Sequence, residues 1–328
     1  MAWIERHWKR ITPVSILLYP VSLLFRAAVA LRRAAYRAGA LPSVKLPVPV
    51  IVAGNLTVGG TGKTPLVLWL VAFLRERGRR PGIVSRGYGG TERGPAAVPI
   101  DGDPQRFGDE PVLLARRSGC PLWIGADRAA AARALLAAHP ECDVIVSDDG
   151  LQHYHLARDV EIVVRPAGEP ANGWLLPAGP FREPAARAAE ADAVVAHAGE
   201  PGAARESAAF DMRLDGSDFY NLLNPEQWSG PDRFRNKNVQ AIAGIGDPER
   251  FFRSLQSLGI TFQARPFPDH YAFTGADLSF PGADAVLMTE KDAVKCQPYA
   301  DEHHWVLRVD ARVDPALGEL VLRKLGSH

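Results

Sequence analysis

Eight consecutive residues, Thr57-Val58-Gly59-Gly60-Thr61-Gly62-Lys63-Thr64, carry the chemistry of phosphate binding. They fit G-x-x-x-x-G-K-[ST] except at the first position, where Thr57 replaces glycine. The three glycines let the backbone turn tightly and aim its N–H groups inward. Lys63 is a point charge for β- and γ-phosphates, and the Thr64 hydroxyl suits Mg²⁺. The apolar run Val48–Ala53 precedes the loop and the helix-like run Leu66–Leu74 follows it. In that strand–loop–helix context the positive end of the helix faces the same anion. All eight residues are expected to bind a nucleotide; the competing explanation is a glycine turn without a ligand.

A magnesium-bound nucleotide needs a carboxylate at the tip of a neighbouring strand. Val144-Ile145-Val146 reads as that strand, and Asp148 and Asp149 stand at its end. Adjacent side chains diverge on an extended strand. Either the chain turns at Gly150, or one aspartate serves the metal and the other orients something else. Further polar clusters follow other strands. Ser85–Gly90 exposes Arg86, suited to phosphate, and Tyr88, suited to stacking on sugars or bases. Gln152 and His153 follow the aspartates, and Arg182 in "GPFREP" is a candidate phosphate clamp. Asp109 and Glu110 in "FGDEP" open a helix, where spacing alone favours a simple complement to the helix dipole. His270 lies in the aromatic, proline-bounded "FPDHYAF", a setting in which a lone histidine is usually structural.

The elements that position these residues alternate. Strands are expected at Val48–Ala53, Gly82–Ser85, Leu122–Ile124, Val144–Ser147, Glu161–Val164, Ala193–Ala196, Val239–Ala243, Ala285–Met288 and Trp305–Val309. Helical patterns occupy Pro65–Arg77, Glu110–Arg117, Arg128–Ala138, Pro248–Leu258 and Pro315–Leu325. This is the pattern of an α/β protein: a P-loop NTPase-like parallel sheet core with a second, smaller α/β domain. The proline- and glycine-rich Arg165–Pro184 reads as a long loop or a crossing between domains. The expected division is 1–40 as a basic N-terminal helix, 41–165 as the nucleotide-binding domain and 166–328 as the smaller domain. The last strand and helix have the option of returning to the first.

The 328 residues carry a net charge of +1, which gives no nucleic-acid signature. The charge is unevenly placed. Within residues 1–40 seven basic side chains oppose Glu5 alone, so that segment stands at +6 and the rest at −5. Val14–Leu31 is apolar but interrupted by Pro20 and Arg26. Ser15, Ser22, Arg26, Arg33 and Arg37 make one narrow polar stripe on a helix. A membrane-associated amphipathic helix at an anionic surface is expected, kinked or divided at Pro20; a helix buried on the protein's own core is the alternative. Cys120, Cys142 and Cys296 are scattered, which fits a reducing cytoplasm.

An [NT]-K-x-D guanine element is missing, and Val58 stands where switch ATPases of the ParA type have lysine. Taken in order, "GNLTVGGTGKTP", "SRGYGG", "GDEP", "DDGLQH", "GPFREP", "FPDHYAF" and "TEKDAVK" closely resemble the tetraacyldisaccharide 4'-kinase family of the lipid A pathway. The resemblance implies transfer of the γ-phosphoryl group of ATP, with Mg²⁺, to the 4'-hydroxyl of a tetraacylated disaccharide 1-phosphate. It implies a monomer at the cytoplasmic face of the bacterial inner membrane. It makes Asp109 the base, assisted by His270, and makes Lys63 and Arg182 catalytic phosphate ligands. It places Thr64, Asp148, Asp149 and Glu110 about the metal, and Arg86, Tyr88, Gln152 and His153 about the disaccharide. A membrane-associated ATPase acting on a protein partner, and a nucleotide-sensing scaffold, stay open as rival readings.

Overall fold

The computed structural model of the chain describes residues 4, 6–8, 10–165, 172–197 and 209–326. Glu5, Lys9 and residues 166–171 of the proline-rich segment lie outside the described residues. The strands are β1 (Val50–Gly54), β2 (Pro81–Ser85), β3 (Ala96–Ala97), β4 (Leu122–Ile124), β5 (Val144–Asp148), β6 (Val160–Val164), β7 (Ala193–His197), β8 (Ala209–Asp215), β9 (Phe219–Asn221), β10 (Trp228–Ser229), β11 (Val239–Ala243), β12 (Gln263–Pro266), β13 (Ala285–Thr289), β14 (His304–Leu307) and β15 (Asp310–Val313). The helices are α1 (Pro13–Arg37), α2 (Lys63–Glu76), α3 (Pro104–Phe107), α4 (Asp109–Ser118), α5 (Arg128–Ala138), α6 (Pro248–Ser257), α7 (Gly275–Leu278), α8 (Glu290–Cys296) and α9 (Pro315–Leu325).

Among the described residues the strands form two sheets, ordered β15-β8-β7-β6-β1-β5-β2-β4-β3 and β10-β9-β14-β13-β11-β12. The centre of the first sheet is parallel, because β1, β2 and β5 are buried along their whole length and so need helices on both faces. On one face Leu66, Leu70 and Leu74 of α2, spaced one turn apart, are fully buried against the sheet. Each contributes roughly 1.5–3 kcal/mol of transfer free energy. Register then aligns the chemistry: Ala53 lies opposite Asp148, and Val84 lies opposite Ser147. The loops after β1, β5 and β2 therefore leave the sheet side by side at its carboxyl edge, where open α/β sheets bind ligands.

The change of sheet comes later than the break expected at 165/166. Strands β7 and β8 still pair in the first sheet, and the chain leaves it between Asp215 and Phe219. It returns by β15, antiparallel to β8, and by α9, whose Leu317, Val321 and Leu325 enter the first core. Proline and glycine in the described residues after 171 mark a loop packed on the phosphate loop, not a linker. Val58 N–H donates to Pro180 O at 2.9 Å, and Arg182 N–H donates to Leu56 O at 2.7 Å.

Helix α1 is one continuous element with Pro20 inside it, so of the kink or division expected at Pro20 the division does not occur. Its serines face inward: Ser15 and Ser22 are buried, and Ser22 Oγ donates to Leu175 O at 2.6 Å. Arg33 and Arg37 pair with Glu190 of the same chain. Leu17, Leu24 and Leu31 are 78%, 72% and 74% exposed, so the apolar face is the outer one. By length and composition α1 is apolar enough to cross a membrane.

Candidate active site

The phosphate loop takes its shape from two left-handed glycines, Gly59 at φ 113° and Gly62 at φ 77°. A Cβ on Gly62 would lie 2.9 Å from the His197 ring, so the position is closed to side chains from behind. A Cβ on Gly60 would meet nothing within 4 Å, so the loop is open on that side. Thr57 avoids positive φ and bridges to Phe181, which explains why the loop tolerates a residue other than glycine there. Lys63 Nζ donates to Asn55 Oδ1 at 3.3 Å and stands 3.6 Å from Asp149 Oδ1. Thr64 follows it in the first turn of α2. The Thr57 and Thr61 hydroxyl oxygens are buried with no hydrogen-bond partner among the described residues.

The acid pair is divided by geometry. Asp148 ends β5, 2% exposed, and accepts from Ser85 Oγ at 3.0 Å through Oδ2. Its Oδ1 has no partner among the described residues. Burial, then the neighbouring Glu110 and Asp149 carboxylates, push its pKa up to about 7. The chain turns at Asp149 itself, whose φ is 48°, rather than at Gly150. Arg182 Nη1 donates to both Asp149 oxygens at 3.0 Å. Although burial opposes it, Lys63 and Arg182 hold the Asp149 carboxyl below the usual range. The described residues contain no group of three His, Cys, Asp or Glu that could hold a metal unaided. A magnesium bound through nucleotide phosphates needs only one or two carboxylates, and the buried orphan oxygen of Asp148 is a fitting donor.

Facing this edge is the second sheet. His270 Nδ1 lies 2.9 Å from Asp109 Oδ2 and 3.1 Å from Oδ1. Asp109 is 5% exposed at the start of α4. Burial raises its pKa, but the His270 hydrogen bond and the Lys291 charge outweigh this and hold the carboxyl low. The same hydrogen bond raises His270 against its burial. His270 has φ 58°, a cost the surrounding structure must sustain. Spacing alone had favoured structural roles for both residues, and the fold brings them together. Glu110, expected near the metal, accepts from Lys291 Nζ at 3.1 Å.

The four residues expected at the disaccharide occupy the same edge. Arg86 and Tyr88 are exposed, and the Tyr88 ring lies 5.1 Å from that of His270. Gln152 Nε2 donates to Asn55 O at 3.3 Å. His153 lines a cleft of about 240 Å³ with Arg32, Asp127, Arg128 and His155. Burial, then Arg128 and Arg86, push His153 down to about 3, so it is neutral at pH 7. Two residues to which the motifs assign no role also reach this edge. Arg128 is 2% exposed, and its Nε and Nη2 lack partners among the described residues. Burial lowers its pKa to about 10. Lys291 converges on the Asp109 side. The available signals were an arginine just past the β4 tip and a lysine just past the β13 tip, positions that open α/β sheets use for ligands.

The family model for tetraacyldisaccharide-1-P 4'-kinase, LpxK, matches residues 14–326. A protein named tetraacyldisaccharide 4'-kinase from Azoarcus sp. (strain BH72) is 50% identical over 321 residues, 97% of this chain and 94% of that one. One of the same name from Methylobacillus flagellatus is 49% identical over 325 residues, 98% and 96% of the two chains. A crystal structure described as the "apo" form of LpxK from Aquifex aeolicus in complex with ATP superposes with a TM-score of 0.79. It is 30% identical, and the match covers 95% of this chain and 99% of that one. The chain belongs to the tetraacyldisaccharide-1-phosphate 4'-kinase family.

Proposed function

We propose that this chain transfers the γ-phosphoryl group of ATP to the 4'-hydroxyl of a tetraacyldisaccharide 1-phosphate, yielding lipid IV-A for lipopolysaccharide synthesis. The observation that carries the reading is the Asp109–His270 pair, set at the same edge as the phosphate loop, with the Asp109 carboxyl held low by its partner. A switch ATPase or a nucleotide-sensing scaffold has no use for a buried carboxylate–imidazole pair beside the loop.

In this reading the loop Thr57–Thr64 binds the triphosphate, with Lys63 on the β- and γ-phosphates. Thr64, Asp148 and Asp149 are the residues that would hold Mg²⁺, which would supply charge neutralisation at the phosphates. Arg182 exchanges Asp149 for phosphate oxygens. Asp109 accepts the proton of the 4'-hydroxyl as the O–P bond forms and the bond to ADP breaks, while His270 fixes its orientation. A sugar alcohol is a weak acid, so alignment and charge neutralisation supply most of the rate. Arg86, Tyr88, Gln152 and His153 contact the sugars. The unpaired guanidinium edge of Arg128 offers the disaccharide's own phosphate two donors.

The acyl chains stay in the bilayer beside the exposed apolar face of α1, at the cytoplasmic face of the inner membrane, where ATP is available. One chain supplies every group named, so a monomer suffices. The test is incubation with γ-³²P-labelled ATP, Mg²⁺ and the tetraacyldisaccharide 1-phosphate. Label in the organic extract is expected; label confined to inorganic phosphate would mean an ATPase instead.

A further inference from the structure

Lys291 has no part in the reaction as described so far, yet its ammonium sits where the two sheets meet. It lies in the first turn of α8, directly after β13 of the six-stranded sheet. Its Nζ is 3.1 Å from Glu110 Oε1, 3.2 Å from Asp269 Oδ1 and 4.0 Å from Asp109 Oδ2. Two of these carboxylates belong to the start of α4, which packs on the nine-stranded sheet. The third belongs to the loop that carries His270 in its left-handed conformation. Without the ammonium, three carboxylates would converge with one imidazole as counter-charge, an arrangement that drives the two segments apart.

The junction of α4 and α8 is fastened again at its far end. Arg117, near the end of α4, pairs with buried Glu290 and with Asp310. Glu290 Oε2 also accepts from Val309 N–H at 3.2 Å, where the chain passes back to the first sheet. Both ends of α4 are thus joined to the first turn of α8, and Lys291 is the fastening at the end of α4 that bears Asp109.

We propose that Lys291 is a positioning residue for phosphoryl transfer: its ammonium draws the Asp109-Glu110 helix start and the Asp269-His270 loop together and so sets the Asp109–His270 pair at bonding distance. The inference rests on the kinase reading of that pair. Lys291 touches no reacting atom and acts through Asp109 and His270. Nucleotide affinity, which belongs to the loop Thr57–Thr64, is independent of it.

The test uses the full chain in detergent micelles with ATP, Mg²⁺ and the tetraacyldisaccharide 1-phosphate. It compares Lys291→Met, Lys291→Arg, Asp269→Asn and the double variant Lys291→Met/Asp269→Asn. Lys291→Met lowers kcat by about 10²-fold, the scale of a small misplacement of a reacting group. Its Kd for Mg-ATP, read by calorimetry, stays near the wild-type value, and Lys291→Arg recovers most of the lost rate. Asp269→Asn costs less, because Glu110 still anchors the ammonium. In the Lys291→Met background, Asp269→Asn adds little, the signature of a shared interaction. A Lys291→Met protein with wild-type kcat, one that loses ATP affinity in step with kcat, or a fully additive double variant overturns the proposal. Should Lys291→Met not fold, Asp269→Asn must by itself show reduced kcat at unchanged Kd. An active wild type with an indifferent Lys291→Met overturns this role alone, whereas a wild type inert toward the lipid overturns the function and this role together.

Discussion

Asp109 and His270 stand 161 residues apart in sequence and 2.9 Å apart in space, one on a helix of the nine-stranded sheet and one on a loop of the six-stranded sheet. In the proposed reaction the acceptor hydroxyl meets that carboxylate. Asp109→Asn keeps the shape and removes the proton acceptor, so kcat should fall by about 10²-fold or more while Mg-ATP still binds. Steady-state kinetics beside calorimetry check this. Turnover within a few-fold of wild type would remove Asp109 from the chemistry.

The same pair makes stability depend on pH with a definite sign. His270 is raised above its unfolded value of about 6.5. Its contribution is fully present below that value and is lost as pH rises through the folded pKa. The difference in melting temperature between wild type and His270→Asn should therefore shrink between pH 6 and pH 9. A difference that stays constant over that range contradicts the charged pair. The depressed Asp109 acts oppositely: its contribution is present above the ordinary carboxylate range and is lost in acid.

Asp148, held near 7 by burial and then by its carboxylate neighbours, must give up its proton to hold a cation. Magnesium dependence should weaken as pH falls below about 7, by roughly tenfold per unit in the limit of one proton released. Asp148→Asn should weaken magnesium binding and flatten that slope. Titration of nucleotide binding against magnesium at several pH values reads both effects. An unchanged slope in the variant would exclude Asp148 as the group responsible.

Leu17 and Leu24 point away from the protein, whereas Ser22 and Phe25 pack toward it. Changing both leucines to aspartate should reduce partitioning onto vesicles containing anionic lipid by tenfold or more, given about 2.5–3.5 kcal/mol for one aspartate in apolar lipid surroundings. ATP affinity should not change. Undiminished sedimentation with vesicles would mean that another surface meets the membrane.

Much of this site was legible from short-range chemistry. The loop Thr57–Thr64, the acid pair and the buried central strands are local patterns, and local patterns survive folding. What escaped depends on pairing at a distance. β15 alternates exposed and half-buried residues over four positions and has no apolar run to announce it. Composition leaves the proline-rich segment as either a long loop or a crossing between domains, because it cannot reveal that Pro180 accepts from Val58. Periodicity found the stripe of Ser15 and Ser22 but could not say which medium it faces, and it faces the protein. Asp109 gains meaning only from His270 and Lys291, because both stand far from it in sequence and follow strands of the other sheet.

The product itself records where the transferred phosphorus ends. Lipid recovered after reaction with ATP and Mg²⁺ can be examined by proton–phosphorus correlation NMR. A new phosphomonoester coupled to the proton on the 4'-carbon of the disaccharide, with the 1-phosphate intact, is the predicted result. Phosphate on any other hydroxyl, or no new ester while ATP is consumed, would contradict the account.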